Sequence, residues 1–260
     1  MLDTIFHRVL RIPYTLHVSI EKKPKKPTKT IVFLHGIGNS GAAWEKVIDK
    51  LPDDVRVISL DLLGFGASPR PSWAVYNVKT QARSVVATLV GLKLSGRVVL
   101  VGHSLGSLVA VEVARRYPLA VKSLVLCSPP FYDPKSDKNH FLKAAFRHAE
   151  KHPERFLKLT SIAMKYNLIN KSFSVTQDTI RPYLATLSAS ILTQTSLHDA
   201  MRLKKPMILL FGIADPWVKK RNLKKIAAAN PKAELRTILA GHEVRGPFID
   251  GVAKAIDDTH

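Results

Sequence analysis

Short apolar runs of strand length alternate with helical stretches along most of this 260-residue chain. The runs are almost continuous in Val, Ile and Leu, which is typical of parallel strands buried on both faces. The alternation therefore predicts an α/β fold, with a mostly parallel sheet and helices on both of its faces. The predicted strands are 14–20, 30–35, 55–61, 97–103, 121–129, 206–212 and 233–241, and the predicted helices are 42–51, 75–94, 105–117, 216–229 and 248–257.

One long region interrupts this alternation. Residues 131–203 show only helical periodicity, with a break at Pro153 and the spacing of a capping box between Ser174 and Gln177. We therefore predict a helical cap at 131–203, inserted after the sixth strand and not an independent domain. The core is then formed by 1–130 and 204–260. Covering a pocket is the favoured role of the insertion, and packing on the sheet edge is the alternative.

A glycine-rich loop follows the second predicted strand. Gly36, Gly38 and Gly41 form G-x-G-x-x-G in the segment IVFLHGIGNSGAAW, between a strand and a helix. This layout is typical of a dinucleotide-binding turn, and Asp61 lies about where the ribose-binding acid is expected. Two hypotheses follow. The loop's backbone N–H groups bind either the pyrophosphate of a nicotinamide cofactor or another negative charge.

A candidate nucleophile lies at the end of the fourth predicted strand. The segment VGHSLGSLV contains Gly102, Ser104 and Gly106 as G-x-S-x-G, between a strand and a helix. A sharp turn there raises the serine hydroxyl above the sheet, and the small flanking residues let strand and helix approach closely. The sequence therefore predicts Ser104 as a nucleophile.

A serine nucleophile needs a base and an orienting carboxylate, and both are found after later strands. His242 follows the last predicted strand, at the sheet edge where Ser104 also emerges. Asp215 follows the penultimate strand, and Asp133 is its rival after the strand before that. We predict Ser104, Asp215 and His242 as a triad, whose chain order is that of nucleophile-elbow enzymes.

Five segments in this order carry a family resemblance: HGIGNSGAAW, DLLGFGAS, GHSLGS, GIADP and GHEV. Over essentially its whole length the chain resembles the α/β-hydrolase fold family, of the capped esterase type with a serine nucleophile. The resemblance implies an oxyanion hole formed by the backbone N–H groups of Ile37 and Leu105, with Gly38 as an alternative donor. It implies no cofactor, and it makes Asp61 part of the DLLGFGAS turn.

The resemblance predicts a cofactor-independent serine hydrolase that cleaves an ester or related acyl bond through an acyl-enzyme. Its substrate is expected to be a small acyl or ester molecule. Ser104 argues against the dehalogenases and epoxide hydrolases of this fold, which use an aspartate nucleophile. Glu243 follows the candidate base where hydrolases of carbon–carbon bonds (vinylogous diketones) often have Trp, so that activity is an alternative, as are thioesterase and lactonase. A non-catalytic binding protein is a more remote alternative.

The insertion also supplies candidate residues for a substrate pocket. Four apolar side chains of this region are proposed to line it, although packing in the core explains each of them equally well: Phe141, Phe146, Phe156 and Met164.

Composition restricts the partners. The formal net charge is +20, but the basic residues are dispersed, and the densest run, 21–29, has no aromatic residues that could stack on bases. We expect no specific nucleic-acid binding and a weak attraction to anionic surfaces. The single cysteine, Cys127, lies in an apolar run and fits a cytoplasmic protein, and the histidines lack the spacing of metal ligands.

From the N-terminal segment we expect neither a signal peptide nor a membrane span. No apolar stretch in the chain reaches the length that a transmembrane helix requires. The apolar residues of the N-terminal segment recur at helical spacing, which favours a short helix packed on the domain over a helix on a membrane surface. They are Leu2, Ile5, Phe6, Val9 and Leu10.

Overall fold

The computed structural model describes residues 4–94, 96–133, 136–137, 140–166 and 175–259, without the side chains at 4, 140–142 and 145. The strands are β1 Val18–Lys22, β2 Lys29–Leu34, β3 Val55–Leu60, β4 Val98–His103, β5 Val121–Cys127, β6 Met207–Gly212 and β7 Ala233–Ile238. They form one sheet in the order β1-β3-β2-β4-β5-β6-β7. β1 pairs antiparallel to β3, and all the other pairs are parallel. The predicted fold class is therefore confirmed.

Helices cover both faces of this sheet. Those of the described residues are α1 Glu45–Ile48, α2 Val78–Gly91, α3 Leu105–Arg116, α4 His140–Lys151, α5 Pro153–Lys165, α6 Ile180–Thr186, α7 Ser196–Arg202, α8 Lys220–Ala229 and α9 Pro247–Asp257. Short π-type helices span Thr4–Val9 and Leu187–Leu192, and a 3-10 helix spans Gly41–Trp44.

Strand residues alternate between two hydrophobic cores because successive side chains point to opposite faces of a sheet. Val32 and Leu34 of β2 pack in the larger core with α2, α3 and α8. Ile31 and Phe33 pack in the smaller core with Trp44 and with α1 and α9. Burial on both faces explains why these strands are apolar throughout.

Two helices begin later than periodicity predicts, and local hydrogen bonds give the reason. α2 begins at Val78 because the Asn77 side chain accepts the backbone N–H of Thr80 at 2.9 Å and caps the helix. α8 begins at Lys220 because Oδ1 of Asp215 accepts the backbone N–H groups of Trp217 and Val218, which closes a turn first.

Between β5 and β6 the described residues form helices, α4 to α7 with one π-type turn. The insertion follows β5 and not a sixth strand, because five strands of this sheet precede it in the chain. α4 and α5 meet at Pro153, as predicted, whereas Ser174 of the predicted capping box lies outside the described residues. The insertion is attached to the core by the Ser190 hydroxyl, which donates to the carbonyl of Tyr76 at 2.7 Å.

The N-terminal segment corrects one prediction. Thr4–Val9 is helical, but its apolar side chains are exposed rather than packed on the domain. The segment is attached to the domain through the polar ring of His7 instead. The His7 ring stacks on Tyr14 at 3.6 Å. Leu2 lies outside the described residues. Within those residues no helix is long and apolar enough to cross a membrane.

Candidate active site

Ser104 occupies a strained turn between β4 and α3. Its backbone has φ 50° and ψ −113°, in the left-handed half of conformational space that non-glycine residues rarely adopt. Such strain is concentrated at functional sites, where the surrounding structure holds it in place. The residue is the N-cap of α3, so the turn lies at a helix N-terminus, where the first N–H groups have no acceptor in the helix ladder.

The glycines on either side of Ser104 make this turn possible by close packing. A Cβ at Gly102 would overlap the carbonyl of Gly106, where strand and helix meet. A Cβ at Gly106 would overlap the carbonyl oxygen of Leu34 and lie 2.9 Å from that of His35. The G-x-S-x-G pattern is thus required by the approach of α3 to β4 and to the end of β2.

His242 and Asp215 form a hydrogen-bonded pair on neighbouring loops. Nδ1–H of His242 donates to Oδ2 of Asp215 at 2.8 Å, although the two residues are 27 positions apart. The Asp215 side chain is fully buried. Burial opposes its ionisation, but the hydrogen bond and charge of His242, together with the hydrogen bond from the Trp217 backbone, lower the pKa of Asp215 below its usual value. An ionised Asp215 fixes the His242 tautomer with Nε2 free to accept a proton.

The loop that carries the acid is held by an additional residue. The Tyr132 hydroxyl donates to the carbonyl of Trp217 at 2.9 Å. The rival acid is engaged elsewhere, since Asp133 forms an ion pair with Lys225 at 3.8 Å. The chemistry-bearing loops after β6 and β7 therefore bring Asp215, and not Asp133, to His242.

His103 contacts His242, the candidate base, from the other side. Its Nε2–H donates to the backbone carbonyl of His242 at 2.9 Å, and the two ring centroids are 5.0 Å apart. The His103 ring is buried, and this burial lowers its pKa, so it remains neutral. His103, the residue beside the serine, is therefore structural, and it fixes the position of the loop after β7.

The glycine loop contacts the serine turn directly. A Cβ at Gly36 would lie 2.7 Å from Nδ1 of His103, so the two loops pack together only because position 36 is glycine. Nδ1–H of His35 donates to the carbonyl of Gly36 at 2.7 Å, and Nε2 of His35 accepts the N–H of Leu62 at 2.8 Å. Both ring nitrogens are thus used, and burial lowers the pKa of His35 to about 4.

These bonds determine the direction of the next amide. In a trans peptide the carbonyl of Gly36 and the N–H of Ile37 point in opposite directions. Because the carbonyl is turned toward His35, the N–H of Ile37 is turned away from it. Leu105 is the first residue of α3, so its N–H has no acceptor within the helix.

The dinucleotide interpretation of this loop is inconsistent with the position of Asp61. Its carboxylate is buried and accepts the backbone N–H groups of Gly41 at 2.7 Å and Ala67 at 2.8 Å. It also contacts His17 at 2.9 Å. A carboxylate used in this way is not available to a ribose hydroxyl. Asp61 instead joins the glycine loop to the DLLGFGAS turn.

A cavity of about 370 Å³ opens above Ser104 and His242, between the sheet edge and the inserted helices. Its wall is largely apolar, and Ile37 forms part of it. Phe146 and Phe156 line it as predicted. Met164 does not, because it lies eight residues beyond Phe156, about 12 Å further along α5. The Phe141 side chain lies outside the described residues.

Sequence reasoning missed several wall residues, since their signal is only tertiary. The Phe156 and Tyr183 rings lie 5.3 Å apart and join α5 to α6. Burial raises the pKa of Tyr183 to about 12, so this phenol stays neutral. His148 and Glu243 are polar members of the wall. Of these wall residues, only Glu243 had a sequence position, next to the candidate base, that could have indicated its place in the cavity wall.

The fold and the geometry of these loops define a class of protein. Residues 29–160, half of the chain, match the sequence model of the alpha/beta hydrolase fold, and the chain belongs to that family.

Individual relatives are more distant. The chain is 33% identical over 116 residues to the "Probable lysophospholipase BODYGUARD 2" of Arabidopsis thaliana, which is 43% of this chain and 25% of that protein. The match thus spans about a quarter of the plant relative. This chain is also 27% identical over 251 residues to the "Pimeloyl-[acyl-carrier protein] methyl ester esterase" of Aeromonas hydrophila, and that match covers 90% of this chain and 94% of the relative.

Solved structures share the fold. A thermophilic esterase from Thermogutta terrifontis superimposes with a TM-score of 0.73 at 23% sequence identity. The superposition covers 90% of this chain and 89% of the esterase.

Proposed function

We propose that this chain is a serine hydrolase that cleaves carboxylic esters with an apolar acyl group and needs no cofactor. The observation that carries the proposal is the His242–Asp215 hydrogen bond of 2.8 Å at the sheet edge where the strained Ser104 turn lies. A serine at a strained turn and a hydrogen-bonded His–Asp pair on neighbouring loops support a triad, which is the arrangement that activates a serine.

In the proposed mechanism, Nε2 of His242 takes the proton of Ser104 as Oγ attacks the ester carbonyl carbon. Asp215 stabilises the resulting imidazolium through Nδ1–H. The N–H groups of Ile37 and Leu105 bind the oxyanion. The tetrahedral intermediate then collapses, and the leaving alcohol takes its proton from His242. Water, deprotonated by the same histidine, then attacks the carbonyl carbon of the acyl-enzyme. Ser104 Oγ leaves with the proton returned by His242, which releases the acid.

The inserted helices serve in this proposal as a cap over the acyl group, and 131–203 is its extent. The largely apolar wall and the cavity of about 370 Å³ support an acyl chain rather than a charged substrate. The names of the Arabidopsis and Aeromonas relatives, a probable lysophospholipase and a methyl ester esterase, are consistent with ester cleavage. We further propose a cytoplasmic location, in keeping with the single, buried Cys127.

Labelling with a fluorophosphonate, read by mass spectrometry, tests the proposal. Modification confined to Ser104 is expected, and Ser104→Ala should lower kcat on p-nitrophenyl esters by about 10⁴-fold or more while unfolding at the same urea concentration. Absence of labelling would favour a non-catalytic binding protein. Labelling without ester turnover, but with turnover of a thioester, lactone or vinylogous diketone, would change the substrate class and keep the mechanism.

A further inference from the structure

A second surface of the molecule, whose cavity shares no described lining residue with the cavity above Ser104, combines exposed apolar side chains with arginines. Six of the fourteen large apolar side chains that are exposed among the described residues cluster at the N-terminus and at one adjacent loop. Leu10 is 57% exposed and Phe6 is 46% exposed. We call this the N-terminal face, and its six apolar residues are Ile5, Phe6, Val9, Leu10, Ile12 and Val75. Clusters of this kind mark surfaces that meet another apolar phase.

A cavity of about 340 Å³ lies within this face, and its charges are all of one sign. Arg8, Arg11 and Arg83 line it, and its described wall contains no Asp or Glu. The Trp73 ring and the Ser84 hydroxyl are also part of the wall. A guanidinium group pairs with phosphate through two parallel hydrogen bonds, so a cavity whose described wall has three arginines and no acid fits a phosphate ester.

The segment that carries these side chains is attached to the domain in a strained conformation. Arg11 has φ 55°, in the left-handed region that arginine rarely adopts. Its carbonyl accepts a hydrogen bond of 2.6 Å from the Arg83 guanidinium on α2. Nδ1–H of His7 donates to the carbonyl of Ile12 at 2.7 Å. The turn is thus fixed by polar bonds and not by burial of its apolar side chains, which remain available on the outside.

We propose that the N-terminal face docks on membranes that contain anionic lipids. The apolar side chains would enter the boundary between headgroups and acyl chains, and the arginine cavity would take a lipid phosphate. Charge complementarity supports this partner, because a net charge of +20 attracts the molecule to an anionic surface over long range. An acidic protein or a nucleic acid would satisfy the arginines but leave the apolar cluster in water.

The face is structurally connected to the active-site edge. Val75 precedes Tyr76, and the carbonyl of Tyr76 accepts the Ser190 hydroxyl from the inserted helices. Leu63, which follows β3 at the carboxyl edge of the sheet, lines the arginine cavity. Docking would therefore hold that edge near the lipid. The proposal does not depend on the hydrolase mechanism, because it concerns adsorption only.

Sedimentation with vesicles tests it on the full chain. Vesicles of phosphatidylcholine with and without phosphatidylserine are compared as salt is raised. Binding to the anionic vesicles alone is expected, and it should weaken with salt. Arg8→Gln combined with Arg11→Gln should reduce the binding constant by about 30-fold, as expected for the loss of two basic residues at an anionic surface. Leu10→Ser should reduce it by about fivefold or more.

Matched variants on other surfaces are the controls. Lys224→Gln combined with Lys232→Gln removes the same two charges at exposed positions near β7, at the opposite edge of the sheet. Leu119→Ser removes an exposed leucine, 89% exposed, from the loop before β5. Both controls should bind vesicles nearly as wild type does. Ser104→Ala should also bind them normally, which separates docking from catalysis.

Three outcomes would overturn the proposal. If the double lysine control lost as much vesicle binding as the double arginine variant, overall charge alone would drive binding. An unchanged Leu10→Ser variant, with full competition by soluble glycerol phosphate, would indicate a phosphate site and not a membrane face. Equal binding to an acidic polypeptide such as polyglutamate would assign the face to an acidic protein partner.

Discussion

At the scale of single residues, the candidate site is held by side chains that do not themselves react. His35 is an example, because its Nδ1–H bonds the carbonyl of Gly36 at 2.7 Å and so orients the peptide whose N–H belongs to Ile37. His103 acts in the same way on the backbone of His242. We interpret both as positioning residues, which affect the rate by aiming groups that contact the substrate.

This interpretation predicts different effects of two substitutions at His35. The amide nitrogen of Asn can replace Nδ1 as a donor to Gly36, whereas that of Gln lies nearer to the position of Nε2. His35→Gln should lower kcat by about 10- to 100-fold with little change in KM, within the range for loss of an oxyanion donor. His35→Asn should retain most of kcat. Equal losses in both, accompanied by a higher KM, would contradict the positioning role.

His35 also predicts how stability depends on pH. Its pKa in the folded protein is about 4, below the ordinary value of 6.5, so the unfolded chain binds more protons between these values. Its contribution to stability is therefore complete above about pH 6.5 and is lost as the pH falls toward 4. Urea unfolding at several pH values should show that the free energy of unfolding falls by about 3 kcal/mol more in wild type than in His35→Asn as the pH is lowered through this range. Parallel curves would show that His35 does not titrate in this way.

At the scale of elements, the site depends on how closely α3 approaches β2 and β4. The approach is limited by backbone atoms, since the space at Gly106 is occupied by the carbonyl oxygens of Leu34 and His35. Backbone cannot move aside as a flexible side chain can. The serine turn therefore tolerates no side chain at this position unless the helix shifts.

Two glycine substitutions measure this constraint. Gly106→Ala should lower the free energy of unfolding by about 3 kcal/mol, or displace the turn and abolish activity, because overpacking a rigid site costs 1–3 kcal/mol or more. Gly91→Ala at the end of α2 is the control, since a Cβ there meets nothing within 4 Å. It should be neutral or stabilising by up to about 1 kcal/mol. A stable and active Gly106→Ala enzyme would contradict the close packing of α3.

At the scale of the whole molecule, topology places the loops of the three candidate catalytic residues at one edge of the sheet. β4, β6 and β7 are parallel, so the loops that carry Ser104, Asp215 and His242 leave the sheet at one edge. The inserted helices pack over that edge and enclose the cavity of about 370 Å³. Neither the core nor the insertion forms this cavity alone.

The cavity predicts a preference among substrates. The kcat/KM for p-nitrophenyl esters should rise by about fourfold per methylene from acetate toward hexanoate, because each buried methylene contributes about 0.8 kcal/mol. Phe156→Trp should shift the optimum to a shorter chain by filling the cavity, and Leu119→Trp, at an exposed position, should not. A profile that is highest for acetate in both variants and wild type would mean that the acyl group does not enter this cavity.

The sequence by itself determined the class of fold and the order in which the three candidate catalytic residues follow one another along the chain. Both are encoded locally, in the continuous apolar strands, in the glycines around Ser104 and in the direction of parallel strands, which places the loops after β4, β6 and β7 at one edge. Only the tertiary structure decided which acid contacts His242, which backbone groups the Asp61 carboxylate binds, that Tyr183 and not Met164 lies by the cavity, and that the N-terminal face is exposed. These outcomes depend on packing between segments far apart in the chain, such as Phe156 against Tyr183, and neither periodicity nor spacing records which side chains meet there.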